Sequence, residues 1–229
     1  MKKEEFELIE KYMLLCMSDS AHDTEHVYRV LYTALEIAEC EQNVDYDVLI
    51  AACLLHDIGR REQFENPELC HAQVGAKKAY DFCTKNGFSK NFSKKVASCI
   101  ATHRFRSSNP PKTIEEKILF DSDKIDATGA LGIARTIFYK GTVGEPLYSI
   151  NNDGTVSDGS SDKEPSFFQE YKYKLENLYS KFYTAKGKEI ASHRQYSAVS
   201  FYENLLEEIT ELRKDGNKIL TEKLMNHHN

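Results

Sequence analysis

The stretch LLHDIGRRE, residues 54–62, sets His56 beside Asp57 at the end of an apolar run and follows them with Ile58 and Gly59. The run reads as a helix from about Asp47 to Asp57 that stops near Gly59. A helix leaving a core with two ionisable side chains needs a partner for them. Burying a polar group unpaired costs about 2–7 kcal/mol, so something must satisfy both.

Working outward, the chain reads as helix after helix. Phe6, Ile9, Met13 and Leu14 recur at helical spacing, and Val27, Val30, Leu31, Ala34, Leu35 and Ala38 stripe a second helix from about Asp23. A fourth is expected from Pro67, which suits a first turn, to about Gly87. Ser89 caps a fifth that carries Val96, Ile100 and His103. Asn109-Pro110-Pro111 breaks the chain before helices over Glu115–Asp126 and Ala130–Tyr139. Residues 141–165 are rich in Gly, Asn, Asp and Ser and read as a long loop with a small hairpin at Asp153-Gly154, of the length that usually serves as a lid. Two long helices follow, striped by Phe168, Tyr171, Leu175, Leu178, Phe182 and Tyr183, and then by Ala198, Phe201, Tyr202, Leu205, Ile209 and Leu212. Aromatics at that spacing predict core packing in an antiparallel pair. The expected class is all-α. The expected parts are a helical domain over 1–140, a loop over 141–165, and C-terminal helices over 166–229 packed on the first domain.

Composition narrows the function. The chain has 229 residues with a net charge of −6 and no basic stripe, so a nucleic-acid platform is excluded as an expectation. No apolar run approaches the ~20 residues that cross a bilayer, and with glutamates after Lys2 and Lys3 and no apolar stretch following, no secretion signal is expected. The six cysteines form no CxxC pair, which predicts free thiols in the cytoplasm.

Five of the eight histidines, His22, His26, His56, His71 and His103, lie on or beside the predicted helices, and Asp121, Asp123 and Asp126 crowd another. Imidazole and carboxylate together suit Zn, Fe, Mn or Co, and a bundle can aim such groups from several helices into one interior site. A metal there would satisfy His56 and Asp57.

The order His, His-Asp, Asp on successive helices resembles the HD superfamily of metal-dependent phosphohydrolases. HDTEHVYRV (22–30) is similar to the family's opening helix, LLHDIG to its signature doublet, and DSDKIDATGALGIAR (121–135) to its final aspartate segment. The resemblance covers about residues 20–140 and implies metal binding by His26, His56, Asp57 and Asp123. It implies an HD-type helical bundle with a C-terminal two-helix extension. His71, in HAQVGA, and His103, in IATHR, fall where bimetallic branches place two further ligands, with Asp57 bridging two ions. The opening and final segments are also similar to a nucleotide pyrophosphohydrolase-like branch that often lacks those two histidines, so one ion or two remain open.

The implied cofactor is one or two divalent ions (Mn, Fe, Co, Ni, Mg or Zn). The implied activity is hydrolysis of a phosphate ester or anhydride of a nucleotide or other small phosphorylated metabolite by metal-activated water. Asp57, Lys124 and Arg104 are the expected catalytic groups. Arg29, Arg60, Lys124 and Arg104 are expected on the substrate phosphate, with Arg29 alternatively paired to an internal aspartate. Arg61, Arg106 and Glu62 lie close by in sequence, and His22 and Asp23 are expected to support the ligands or cap their helix. The competing readings are an HD-fold diiron oxygenase and a nucleotide-sensing module without turnover. A homodimer is allowed by the last helices.

Overall fold

The computed structural model describes residues 1–17, 24–104 and 109–225. His22, Asp23 and Arg106 therefore lie outside the described residues. The chain divides into two compact units, residues 1–126 with 182–189, and residues 127–181 with 190–229.

The first unit is built around the helix that ends in the opening motif. Asp45 caps α3 (Tyr46–Leu55) by accepting from Val48 N at 3.3 Å. From Val48 to Leu55 nearly every residue of this helix is buried, as expected where a helix has neighbours on all sides. Those neighbours are α1 (Lys3–Cys16), α2 (Thr24–Ala38), α6 (Lys90–Thr102) and α7 (Ile114–Ile125). The predicted stripe of α2 is the buried one, with Val27, Val30, Leu31, Ala34 and Ala38 inside. Each such aliphatic side chain contributes about 1.5–3 kcal/mol by leaving water. Ser89 accepts from Phe92 N at 3.2 Å and starts α6, while Thr113 and Glu116 form a reciprocal capping box on α7.

Two elements differ from expectation. A short helix, α4 (Arg60–Glu65), follows the motif directly, and α5 (His71–Lys85) starts four residues after Pro67. Asn66 explains the delay, because its side chain accepts from Glu68 N at 3.2 Å and its carbonyl from Leu69 N at 3.0 Å. That closed turn occupies the segment a Pro67 start would have used.

Gly59 is required by packing. A Cβ there would stand 2.3 Å from His71 O and 2.6 Å from Gly75 N. The bare backbone lets the start of α5 lie against the turn after α3, which brings His71 beside the His-Asp doublet.

The second unit has an aromatic core of Phe167, Phe168, Tyr171, Leu175, Leu178, Ala198 and Tyr202, joined by Ile133 of α8 (Gly129–Thr142). Tyr171 stacks on Tyr202 with centroids 4.0 Å apart. The apolar stripe from Phe168 is thus core, as expected, although its helical run is short. It comprises α9 (Phe167–Glu170), one π turn to Leu175 and a 3-10 turn over Leu178–Ser180. The final helix α10 (Ala185–Met225) is continuous for 41 residues. The unit boundary falls at 126/127, ahead of the residue 140 expected from composition, because α8 shares the aromatic core.

The 141–165 segment carries the expected tight turn. Gly154 has φ +84°, Gly154 N donates to Asn151 O at 2.9 Å, and Ile150 and Val156 form an antiparallel bridge. Asp162 accepts from Ser149 Oγ at 2.5 Å and Ser157 Oγ at 2.6 Å, and Pro146 O and Leu147 O accept from Phe167 N and Phe168 N. The segment is tied to itself and to its own core. Among the described residues no helix is long and apolar enough to cross a membrane.

Candidate metal centre

Helix ends supply the histidines. His56 is the residue after the last turn of α3 and His103 the residue after α6. The last carbonyls of a helix lack intrahelical partners, and each imidazole bends back to one. His56 Nδ1 donates to Cys53 O at 2.8 Å, and His103 Nδ1 donates to Ile100 O at 2.6 Å. A carbonyl can only accept, so Nδ1 carries the proton and Nε2 presents its lone pair. The remaining two histidines are fixed by side chains. His71 Nδ1 meets Gln63 Oε1 at 2.6 Å, and His26 Nδ1 meets Asp126 Oδ2 at 2.7 Å.

The four Nε2 atoms and two carboxylates converge. His26 Nε2 lies 3.3 Å from His56 Nε2 and 3.4 Å from Asp123 Oδ1. His71 Nε2 lies 3.2 Å from His103 Nε2. Asp57 stands between the pairs. Its Oδ2 is 3.6 Å from His26 and 3.5 Å from His56, and its Oδ1 is 3.6 Å from His71 and 3.7 Å from His103. The result is two triads that could each hold an ion, His26, His56 and Asp123 on one side and Asp57, His71 and His103 on the other. All six expected ligands thus stand at one centre, buried except for Asp123 at its margin.

The donor set fits a divalent cation. Ligands about 2.0–2.2 Å from one ion stand roughly 2.8–3.6 Å from one another, close to the spacings here. Lone pairs facing lone pairs at such distances repel unless a positive charge lies between them. Electrostatics point the same way. Burial works to lower the His26 pKa, yet hydrogen bonds to Asp123, Asp126 and Asp57 outweigh it and push it up to about 10. The carboxylates there demand positive charge. Burial dominates at the second triad and pushes His71 down to about 3 and His103 to about 4, leaving both imidazoles neutral and able to ligate. Burial would raise Asp57 and Asp123, but His56 and Arg60 hold the first, and Lys124 with His26 the second, well below the usual carboxylate range.

The cations divide into two sets. Arg29 turns its fork to Asp126, with Nε to Oδ1 at 2.7 Å and Nη2 to Oδ2 at 3.1 Å. This is the internal pairing that the sequence allowed, and it places Arg29 behind His26. Arg61 pairs with Glu65 on the surface, and Glu62 pairs with Lys78 at 2.6 Å across α4 and α5. Three cations border the ligands. Lys124 Nζ lies 2.6 Å from Asp123 Oδ2 and 3.3 Å from His103 O, Arg60 Nε donates to Asp57 Oδ1 at 2.9 Å, and Arg104 Nη1 contacts Cys70 Sγ at 3.7 Å. The Arg60 side chain is 38% exposed while the Asp57 it touches is 4% exposed, so the cationic rim is the solvent side of the centre.

The two aspartates that flank Asp123 serve structure. Asp121 accepts from Tyr183 N at 2.9 Å and from Thr184 N and Oγ1 at 2.7 Å each, where α10 begins. Asp126 orients His26. Gln63 is a positioning residue that sequence reasoning missed. It sits on a different helix from His71, eight residues earlier, and no local pattern marks it.

Comparisons with known proteins bear on the family and the fold. Residues 24–128 match the HD domain family. YpgQ of Bacillus subtilis is 28% identical over 200 residues, covering 86% of this chain and 88% of YpgQ. Its crystal structure in complex with ADP superimposes with a TM-score of 0.69 at 26% identity, covering 89% of this chain and 97% of that one. An HD-superfamily hydrolase from Bacillus thuringiensis gives a TM-score of 0.69 at 27% identity, covering 91% and 98%.

Proposed function

We propose, on the premise that this chain belongs to the HD superfamily through residues 24–128, that it is a divalent-metal-dependent phosphohydrolase of the cytoplasm. Its substrate class is a phosphate ester or anhydride of a nucleotide or similar small metabolite. The observation that carries the reading is the pair of triads meeting at Asp57, with its two oxygens turned to opposite sides. That arrangement supports the two-ion variant of the family pattern. The ADP complex of YpgQ supports a nucleotide.

His26, His56, Asp123 and Asp57 would hold one ion, and His71, His103 and Asp57 a second. A divalent cation bound there polarises a phosphoryl oxygen and acidifies coordinated water. The chain's own groups do the rest. Asp126 and the helix-end carbonyls hold the imidazoles in one tautomer and orientation. Lys124 and Arg60, at the exposed rim, supply fixed positive charge for phosphoryl oxygens as negative charge accumulates on them. Arg104 provides a further planar fork beside His103 and His71.

The test is elemental analysis of the purified protein combined with a screen for phosphate and pyrophosphate release in Mn, Co, Ni, Mg and Zn. Bound metal and turnover of a nucleotide are expected, with Asp57→Ala losing both by at least about a hundredfold while retaining a helical circular dichroism spectrum. Retained activity in that variant refutes the site. Iron content with oxygen uptake and no phosphate release would instead identify the oxygenase, and tight nucleotide binding without turnover the sensing module.

A further inference from the structure

The two triads are chemically unequal, and the inequality centres on Arg60. On the Oδ2 side of Asp57, His26 is backed by the carboxylate of Asp126, and Asp123 adds its own charge. On the Oδ1 side, His71 is backed by the neutral Gln63 amide and His103 by a backbone carbonyl, and Asp57 is the only carboxylate of that triad. That one oxygen is already engaged, because Arg60 Nε donates to Oδ1 at 2.9 Å. His71 and His103 face the same oxygen at 3.6 and 3.7 Å. A guanidinium therefore stands where a second dication would draw its only charged ligand, and like charges a few ångströms apart repel.

We propose that Arg60 acts as a built-in substitute for the second ion, so that the Oδ2 side loads first and tightly, and the Oδ1 side loads only as Arg60 is drawn off Asp57. Arg60 is thereby a positioning and selectivity residue for metal stoichiometry. The inference rests on the metal-centre reading above and deepens it. Arg60 follows the His-Asp-Ile-Gly turn as the first residue of α4, and its side chain reaches back one turn to Asp57. Its side chain is 38% exposed, so its guanidinium is reached from solvent.

The experiment is a titration of chelator-stripped full-length protein with Mn alone, followed by calorimetry and by Mn-to-protein ratio. The wild type is expected to bind one ion tightly and a second at least about tenfold more weakly, or not at all within the range. Arg60→Gln is expected to tighten the second step by about tenfold or more and leave the first unchanged. Arg60→Lys keeps the charge and is expected to keep the second step weak. His71→Ala in the Arg60→Gln background is expected to remove the second step only. Two equal steps in the wild type, or a second step unmoved in Arg60→Gln, overturn this inference and leave the metal centre standing. No tight ion in the wild type overturns the metal-centre reading itself, and this inference with it.

Discussion

Two buried polar clusters sit on either side of the last turn of α7, and they are built in opposite ways. Around Asp121 every contact is a matched pair, since two backbone N–H groups and a hydroxyl donate to one carboxylate. Around Asp57 the imidazole lone pairs of His56, His71 and His103 gather with His26 and two carboxylates, each within 3.7 Å of a neighbour, and the side-chain donors among them are His26, Arg60 and Lys124. The first cluster is complete with protein atoms alone. The second has the make-up that a cation would complete. Burial and charge are the same in kind at both, so donor and acceptor counting separates a structural clamp from a ligand set.

The comparison can be broken by substitution. Asp121→Ala leaves two backbone donors and a hydroxyl unpaired at the start of α10 and is expected to destabilise the protein by about 3 kcal/mol in urea denaturation. The folded fraction should keep its metal content. Loss of metal with no loss of stability would erase the distinction. Asp126→Asn tests the other cluster. It weakens the acceptor behind His26 Nδ1 and is expected to lower affinity for the first Mn by about 10–100-fold, read by competition with a chelating dye. An unchanged affinity would mean that His26 needs no orienting carboxylate.

The smallest effect sharpens the contrast from outside both clusters. Asp45 caps α3 and pairs with Lys95 at 2.9 Å, and Asp45→Ala is expected to cost about 1 kcal/mol at neutral pH. Burial works to raise its pKa, but the Lys95 ammonium and the Val48 N–H outweigh it, and the net shift is downward. A carboxyl whose folded pKa is depressed stabilises above its unfolded value and loses that contribution as pH falls through the folded one. Variant and wild-type stabilities should therefore converge in acid, below the ordinary carboxylate range, and differ most at neutral pH. A difference that persists in acid would assign the cost to the cap geometry without its charge.

Much of this was legible because helix periodicity and motif order are local. The buried stripe of α2, the Ser89 cap, the aromatic stripe from Phe168 and the tight turn at Gly154 follow from residue spacing and backbone preference. The six residues that converge were identifiable because each belongs to a short motif at a helix end or on an inward stripe. The short helix α4 was hidden by its length, six residues with none buried. The late start of α5 depends on an Asn66 turn that competes with Pro67 as a start signal. The boundary at residue 126 depends on which core α8 joins, and composition carries no record of that.

By itself the sequence determined an all-helical chain with an interior constellation of imidazoles and carboxylates, because a 3.6-residue period and the chemistry of His and Asp are properties of short stretches. Only the tertiary structure decided how that constellation is used. It turned Arg29 inward to Asp126, set Arg60 on Asp57, gave His71 an amide partner from another helix, and made Asp121 a clamp. The physical reason is that a side chain's role is fixed by its partner, and those partners lie on other helices or across a turn, where spacing along the chain says nothing about distance.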